Sequence, residues 1–262
     1  THCISSAASD VYKRQVLSEA SSCLFCALYI RKRVPLLCLG KQWFVFDKSL
    51  MKKTISYGST SAMQQVCLQI GKTIIQTVVN TQGVSVMAAF TAVNRVDDFA
   101  YIPQQNIGHA MTTFIAQNKG AGKKERIRRG FQSGIGIELV YGLILLVLMY
   151  FGAEKIMGLF TSQEDAQVVA LGRSYLHLVS WMYILPAITN GIQGFFRGMG
   201  DLKVTLYSTF MNMAGRVLAV IVMFLVFHFG FVSLAWANLI GWIVMLLFEI
   251  PLLMRQLKEL RK

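Results

Sequence analysis

Acidic residues are scarce in this 262-residue chain, with 13 Asp and Glu against 26 Lys and Arg. Proline occurs only four times, and charged residues of both signs make up 15% of the whole. A disordered or linker-like chain needs more charge and more proline than this. Cysteine is also sparse, at five residues. Cys23 and Cys26 form a lone CxxC inside an apolar stretch, and no second pair stands at zinc-site spacing. Cys38 and Cys67 read as ordinary thiols. Catalytic signatures are missing as well: there is no HExxH and no GxSxG. The GK dipeptide of "QNKGAGKKER" lacks the GxxxxGK[ST] spacing, and Lys124 stands where a hydroxyl is needed. The chain therefore reads as neither an enzyme nor a cofactor protein.

The N-terminus lacks a further feature, the order of a secretory signal. "SSAASDVYKRQ" (Ser5 to Gln15) is polar, with no apolar run and cleavage site behind a charged start. Read back into codons, it matches a transposon-type sequencing-library adapter. Residues 1–15 are set aside as adapter-derived, and the native protein is expected to extend upstream of Val16.

What the chain has in abundance is apolar residues, at 54%. Six runs are near or above the roughly 20 residues that cross a bilayer as helix. They are Thr54 to Val79, Val84 to Gln117, Phe131 to Phe151, Ala166 to Phe196, Val204 to Phe227 and Phe231 to Met254. Ahead of them, residues 16–30 read as the end of a truncated transmembrane helix, 31–53 as a basic linker, and 54–262 as a six-helix lobe. The fold class is all-α integral membrane. Pro103 and Pro186 should kink the second and fourth spans, since proline removes a backbone donor.

The net charge of +13 could suggest nucleic acid, but its distribution argues otherwise. The linker, Asn118 to Gly130, Arg197 to Lys203 and the tail from Arg255 together carry 19 basic residues. If the six spans alternate, all four segments lie on one side. The other side carries Lys155 against Glu154, Glu164 and Asp165. Such asymmetry places the linker and C-terminus in the cytoplasm, with the plasma membrane as the site, and leaves no basic patch for nucleic acid.

Polar residues inside the spans point to function, because ionisable groups there are costly and face a bundle interior or a wet cavity. In the first span Ser61, Gln65, Gln69, Lys72, Gln76 and Asn80 recur every three or four residues, which puts them on one helical face. In the second, Asn94, Asp98, Tyr101, Gln105 and His109 do likewise, flanked by Arg95 and Asp97. Ion pairing of Lys72 with Asp97 or Asp98, and of Arg95 with Asp98, competes with a role for Asp97 in binding a coupling ion. Arg216, mid-way along the fifth span, requires an acidic or carbonyl partner. Glu249 reads as interfacial. The glycines of "GFFRGMG" and those near Gly134 read as small-residue contacts between helices.

The second span and its exit, "FTAVNRVDDFAYIPQQNIGHAMTTFIAQNKGAGKKERIRRG", closely resemble the multidrug and toxic compound extrusion (MATE) family. The resemblance rests on N-R-x-D at Asn94 to Asp97 and on the T-x-x-x-Q-N-x-G-A-G-K run at Thr113 to Lys123. "GIQGFFRGMGD" is similar to the family's R-G-x-G-D element. It implies the C-terminal half of a twelve-helix, two-lobe antiporter whose N-terminal lobe is missing. Such a transporter would export organic, commonly cationic, compounds in exchange for protons or sodium ions, by rocking one lobe against the other. A branch of the family carries cation-binding carboxylates in its counterparts of the first and fourth spans. Here those spans have no Asp or Glu, so Asn94, Arg95, Asp97 and Arg216 carry over as polar-core positions. A lipid-linked saccharide flippase of related architecture and a non-transporting helical scaffold or receptor are the competing readings.

Overall fold

A computed structural model describes residues 2–33, 46–160, 166–226 and 230–261. The middle of the basic linker, Cys38, Glu164, Asp165 and His228 lie outside the described residues. The chain divides into two compact units, Thr1–Thr54 and Ile55–Lys262. In the first, helix α1 (His2–Arg33) runs without a break, so the residues set aside at the N-terminus are continuous with residues 16–30. Cys23 and Cys26 are exposed on it.

Helix α2 (Lys48–Asn80) starts six residues before the expected span. The reason is local. Asp47 Oδ1 accepts the backbone N–H groups of Ser49 at 2.7 Å and Leu50 at 3.1 Å. A side-chain oxygen that satisfies the free donors of the first turn lets a helix begin in otherwise polar sequence.

The second unit is built from antiparallel helices. After α2 come α3 (Val84–Gly120), α4 (Lys124–Phe160), α5 (Ala166–Ser180), α6 (Ile184–Gly198), α7 (Leu202–Ile221) and α8 (Ser233–Arg261). A tightened turn at Trp181–Tyr183 separates α5 from α6. Pro186 accounts for it, because its ring crowds the carbonyl four residues back and cannot return a hydrogen bond. By contrast α3 runs through Pro103 as one helix. Among the described residues, four spans are long and apolar enough to cross a membrane: Lys124–Leu159, Ala166–Gly198, Leu202–Phe224 and Ser233–Leu260. Of the six expected, α2 and α3 do not reach that apolarity, because their polar stripes dilute it.

The two glycine-rich motifs prove to be one device used twice. At the end of α3, Lys123 N–H donates to Asn118 O at 2.9 Å and Gly122 N–H to Lys119 O at 3.0 Å. At the end of α6, Asp201 N–H donates to Phe196 O at 2.9 Å and Gly200 N–H to Arg197 O at 3.0 Å. These paired bonds close a helix only if the residue after the cap is left-handed, and Gly122 and Gly200 have φ of 69° and 81°. The GAGK element is therefore a helix stop.

Lys119 Nζ donates to Met199 O, and Gln256 Nε2 donates to Asp201 Oδ2 at 3.2 Å. The α3–α4 turn, the α6–α7 turn and the end of α8 thus gather at one end of the bundle, and these are basic segments. At the other end Ser85 Oγ meets Gln167 Oε1 at 3.3 Å.

Small residues set how closely the helices approach. A Cβ on Gly194 of α6 would lie 2.6 Å from Gly108 O on α3, and one on Gly198 would lie 2.7 Å from Ile115 Cβ. Thr112 Oγ1 bridges the same seam, donating to Gly108 O at 2.9 Å or Gly194 O at 3.2 Å. Gly215 and Gly241 bring α7 and α8 together in the same way, with the Arg216 stem laid over Gly241. The small-residue contacts expected from "GFFRGMG" are present at Gly194 and Gly198.

Candidate functional site

Asp97 lies on the buried stripe of α3, with 7% of its surface exposed. Tyr183 Oη donates to its Oδ1 at 2.6 Å, and Tyr175 Oη donates to Oδ2 at 3.3 Å. Asn238 of α8 then donates from Nδ2 to Tyr175 Oη at 2.7 Å. A chain of hydrogen bonds therefore runs from α8 through α5 to α3, with a second arm to the turn before α6. Buried acids persist where donors of this kind replace water. Tyr101 lies edge-on to Tyr183 at 5.7 Å and to Trp242 at 6.4 Å, walling the acid with aromatic rings. Arg216 of α7 is near enough for its charge, like that of Asp98, to act on Asp97. It forms no direct ion pair with Asp97 among the described residues, and its buried Nε has no partner. Of the acidic or carbonyl partner expected for Arg216, the described residues show only this electrostatic approach to Asp97.

The other residues singled out in the sequence divide by face. Gln65, Gln69 and Lys72 are exposed on α2, and Gln76 is half-buried, donating from Nε2 to Asn80 Oδ1 at 2.7 Å. The side of α2 that packs inward carries Gln64, Gly71, Ile75 and Val79 instead. On α3, Asn94 and Tyr101 are half-buried, whereas Arg95, Asp98, Gln105 and His109 are exposed. Arg95 is therefore not a core position in this lobe: a step of two residues from Asp97 turns it to the opposite side of the helix. Neither the Lys72–Asp97 nor the Arg95–Asp98 ion pair forms among the described residues; those that form there include Arg173–Glu154 and the Glu125 pairs with Arg128 and Arg129.

Several buried polar residues were not anticipated. Gln64 Nε2 donates to Thr209 Oγ1 at 2.8 Å, Gln193 Nε2 to the same hydroxyl at 3.3 Å, and Arg197 to Gln193 Oε1 at 2.9 Å. Glu249, expected at the interface, has 0% exposure and sits beside this network near Ser208, Gln193 and Arg197. The cause is the length of α8, which continues to Arg261, roughly 18 Å further along a helix. Tyr175, Tyr183 and Asn238 carried one readable signal, a hydrogen-bonding group inside an apolar run.

A multi-pass helical bundle with a hydrogen-bonded acid in its interior is an architecture that membrane transport proteins use. The particular family follows from direct comparison. The MatE family model matches residues 61–219, more than half of the chain, and the protein belongs to this family of transporters, which are not enzymes. The probable multidrug resistance protein YoeA of Bacillus subtilis (strain 168) is 25% identical over 190 residues, covering 71% of this chain and 41% of the relative. The probable multidrug resistance protein NorM of Rhizobium meliloti (strain 1021) is 28% identical over 174 residues, 63% of this chain and 36% of the relative. A MATE crystal structure superposes with a TM-score of 0.84 at 20% identity, over 94% of this chain and 55% of that one. A MOP superfamily transporter from Pyrococcus furiosus gives 0.81 at 21% identity, with the same coverage. The chain thus spans about half the length of those structures and less of the two relatives.

Proposed function

We propose that residues 54–262 form the C-terminal lobe of a two-lobe antiporter in the plasma membrane. It exports organic, commonly cationic, compounds in exchange for protons or sodium ions. Residues 16–30 end the preceding lobe, and residues 31–53 link the two on the cytoplasmic side. The observation that carries the reading is Asp97, a buried carboxylate held by the two hydroxyl donors Tyr183 and Tyr175. A proton or sodium ion arriving at Asp97 replaces those hydroxyls as the partner of the carboxylate. Tyr183 and Tyr175 then need other acceptors, and their helices shift relative to α3. A buried group with two alternative partner sets is the element that an ion can bias.

The exposed face with Gln65, Gln69 and Lys72 on α2 and Gln105 and His109 on α3 supplies the polar wall of the substrate path, opposite the other lobe. Partial coverage of the relatives and the clustering of basic segments at one end support this arrangement. The test is to amplify the gene upstream of Val16, express it whole in inverted vesicles and follow a cationic dye. Transport driven by a proton or sodium gradient is expected. Dye movement that ignores both gradients would sink the proposal.

A further inference from the structure

At the basic end of the bundle the seam between α3 and α4 carries a cation on an aromatic ring. Phe114 stands nine residues beyond Gln105 on α3. That is two and a half turns, so Phe114 lies on the side of the helix away from the proposed substrate path. Its ring crosses to α4, where a Cβ on Gly130 would collide with it. Glycine at that position makes room for the ring. One turn earlier on α4, Arg126 lays its guanidinium over the same ring, with Cζ 5.9 Å from the centroid. Both side chains are exposed. A guanidinium held by its face on a ring keeps its N–H edges free for a second partner.

The charges around Arg126 leave it and one neighbour unanswered. Lys123 O accepts the Ile127 N–H at 3.2 Å, so Lys123 already follows the α4 spiral, one turn before Arg126 on the same side. The acids of this end are committed elsewhere. Glu125 pairs with Arg128 at 3.0 Å and Arg129 at 2.9 Å, and Glu259 with Arg255 at 3.6 Å. Asp201 Oδ2 accepts from Gln256. Among the described residues neither Lys123 nor Arg126 meets a carboxylate. An anion that bridges two adjacent cations relieves their repulsion. A phosphodiester suits this pair, since a guanidinium takes two phosphate oxygens at once and an ammonium adds a point charge.

The neighbouring surface says what carries the phosphate. Ser133, Ile137 and Ile144 follow Arg126 at seven, eleven and eighteen residues. These spacings are close to whole turns, so the four share one strip of α4. Ser133 is exposed, as are Ile137 at 56% and Ile144 at 49%. The strip runs roughly 27 Å, close to the hydrocarbon thickness of a bilayer. A soluble anion gains nothing from such a strip, whereas an acyl chain does. We propose that Arg126 and Lys123 bind the phosphodiester of an anionic phospholipid at the α3–α4 seam, with an acyl chain lying along Phe114 and Ile137. The inference depends neither on Asp97 nor on the export reading.

The test places the full chain carrying Phe114→Trp, which keeps a ring under the guanidinium, in phosphatidylcholine nanodiscs. Tryptophan quenching by brominated phosphatidylglycerol is compared with quenching by brominated phosphatidylcholine, after subtraction of the same measurement on the chain with Phe114. Phosphatidylglycerol should be preferred about tenfold. Arg126→Gln should lower that preference about fivefold and Lys123→Gln about threefold. Lys124→Gln removes the same charge from the other side of α4 and should leave the preference unchanged. Should Arg126→Gln fail to fold, the comparison of Lys123→Gln with Lys124→Gln decides the matter. Equal losses in those two variants would mean a diffuse basic field. Loss of the preference on adding excess inorganic phosphate would mean a site for free anions. Either result, or a preference that Arg126→Gln leaves unmoved, would overturn the proposal.

Discussion

Asp97 and Glu138 are both carboxyls buried in one bundle, yet their surroundings are opposite. Asp97 accepts from two tyrosine hydroxyls and lies within reach of a guanidinium. Glu138 has neither donor nor cation among the described residues. The difference teaches that burial alone does not define a site's chemistry. A carboxyl with donors belongs to a network whose other members depend on it, whereas a carboxyl without donors strands no partner when it is removed. Removing the first should damage the fold, and removing the second should not.

The largest effect is expected from Asp97→Leu, which strands two hydroxyls and the Arg216 charge together. A loss of about 3 kcal/mol is expected, because breaking a buried charged cluster from one side leaves its partners unpaired. Thermal unfolding in detergent measures it. Tyr183→Phe comes next, at about 1.5 kcal/mol, since it removes one short bond to a charged acceptor. Tyr175→Phe should cost less, about 0.6 kcal/mol, a common value for interhelical bonds in membranes. Its bond to Asp97 is the longer of the two, although Asn238 also loses an acceptor. If Tyr175→Phe proves worse than Tyr183→Phe, the Asn238 arm matters more than the acid. Smallest of all is Glu138→Met, a swap of similar volume that strands no donor. Stability within about 1 kcal/mol of the wild type, or above it, is expected. A loss as large as that of Asp97→Leu would erase the comparison.

The helical architecture was legible because bilayer-length apolar runs leave few alternatives, and the charge bias of the loops foretold which turns share an end. Helix limits were less so. The start of α2 depends on Asp47, a single residue whose capping role shows only in its bonds to Ser49 and Leu50. Periodicity placed Gln65, Gln69 and Lys72 correctly on one face of α2 but did not say which face packs inward. That depends on where neighbouring helices sit, and Gln64 is the residue that turned in. Asp97 stood out in the sequence as an acid within a span. Its partners did not, because a tyrosine in an apolar run reads as core; Tyr183 meets the acid from the α5–α6 break at Trp181–Tyr183. Glu249 was misplaced for the converse reason: closeness to a charged tail in sequence says little when the helix runs on for three more turns.

The central claim is that Asp97 couples ion movement to export, and the most direct measurement compares two single substitutions at adjacent positions. In vesicles carrying the whole transporter, Asp97→Asn keeps the shape of the side chain and removes its charge, while Asp98→Asn does the same on the exposed face. Gradient-driven dye transport should be lost in Asp97→Asn and kept in Asp98→Asn. Wild-type gradient dependence in Asp97→Asn, with the protein folded and in the membrane, would contradict the account.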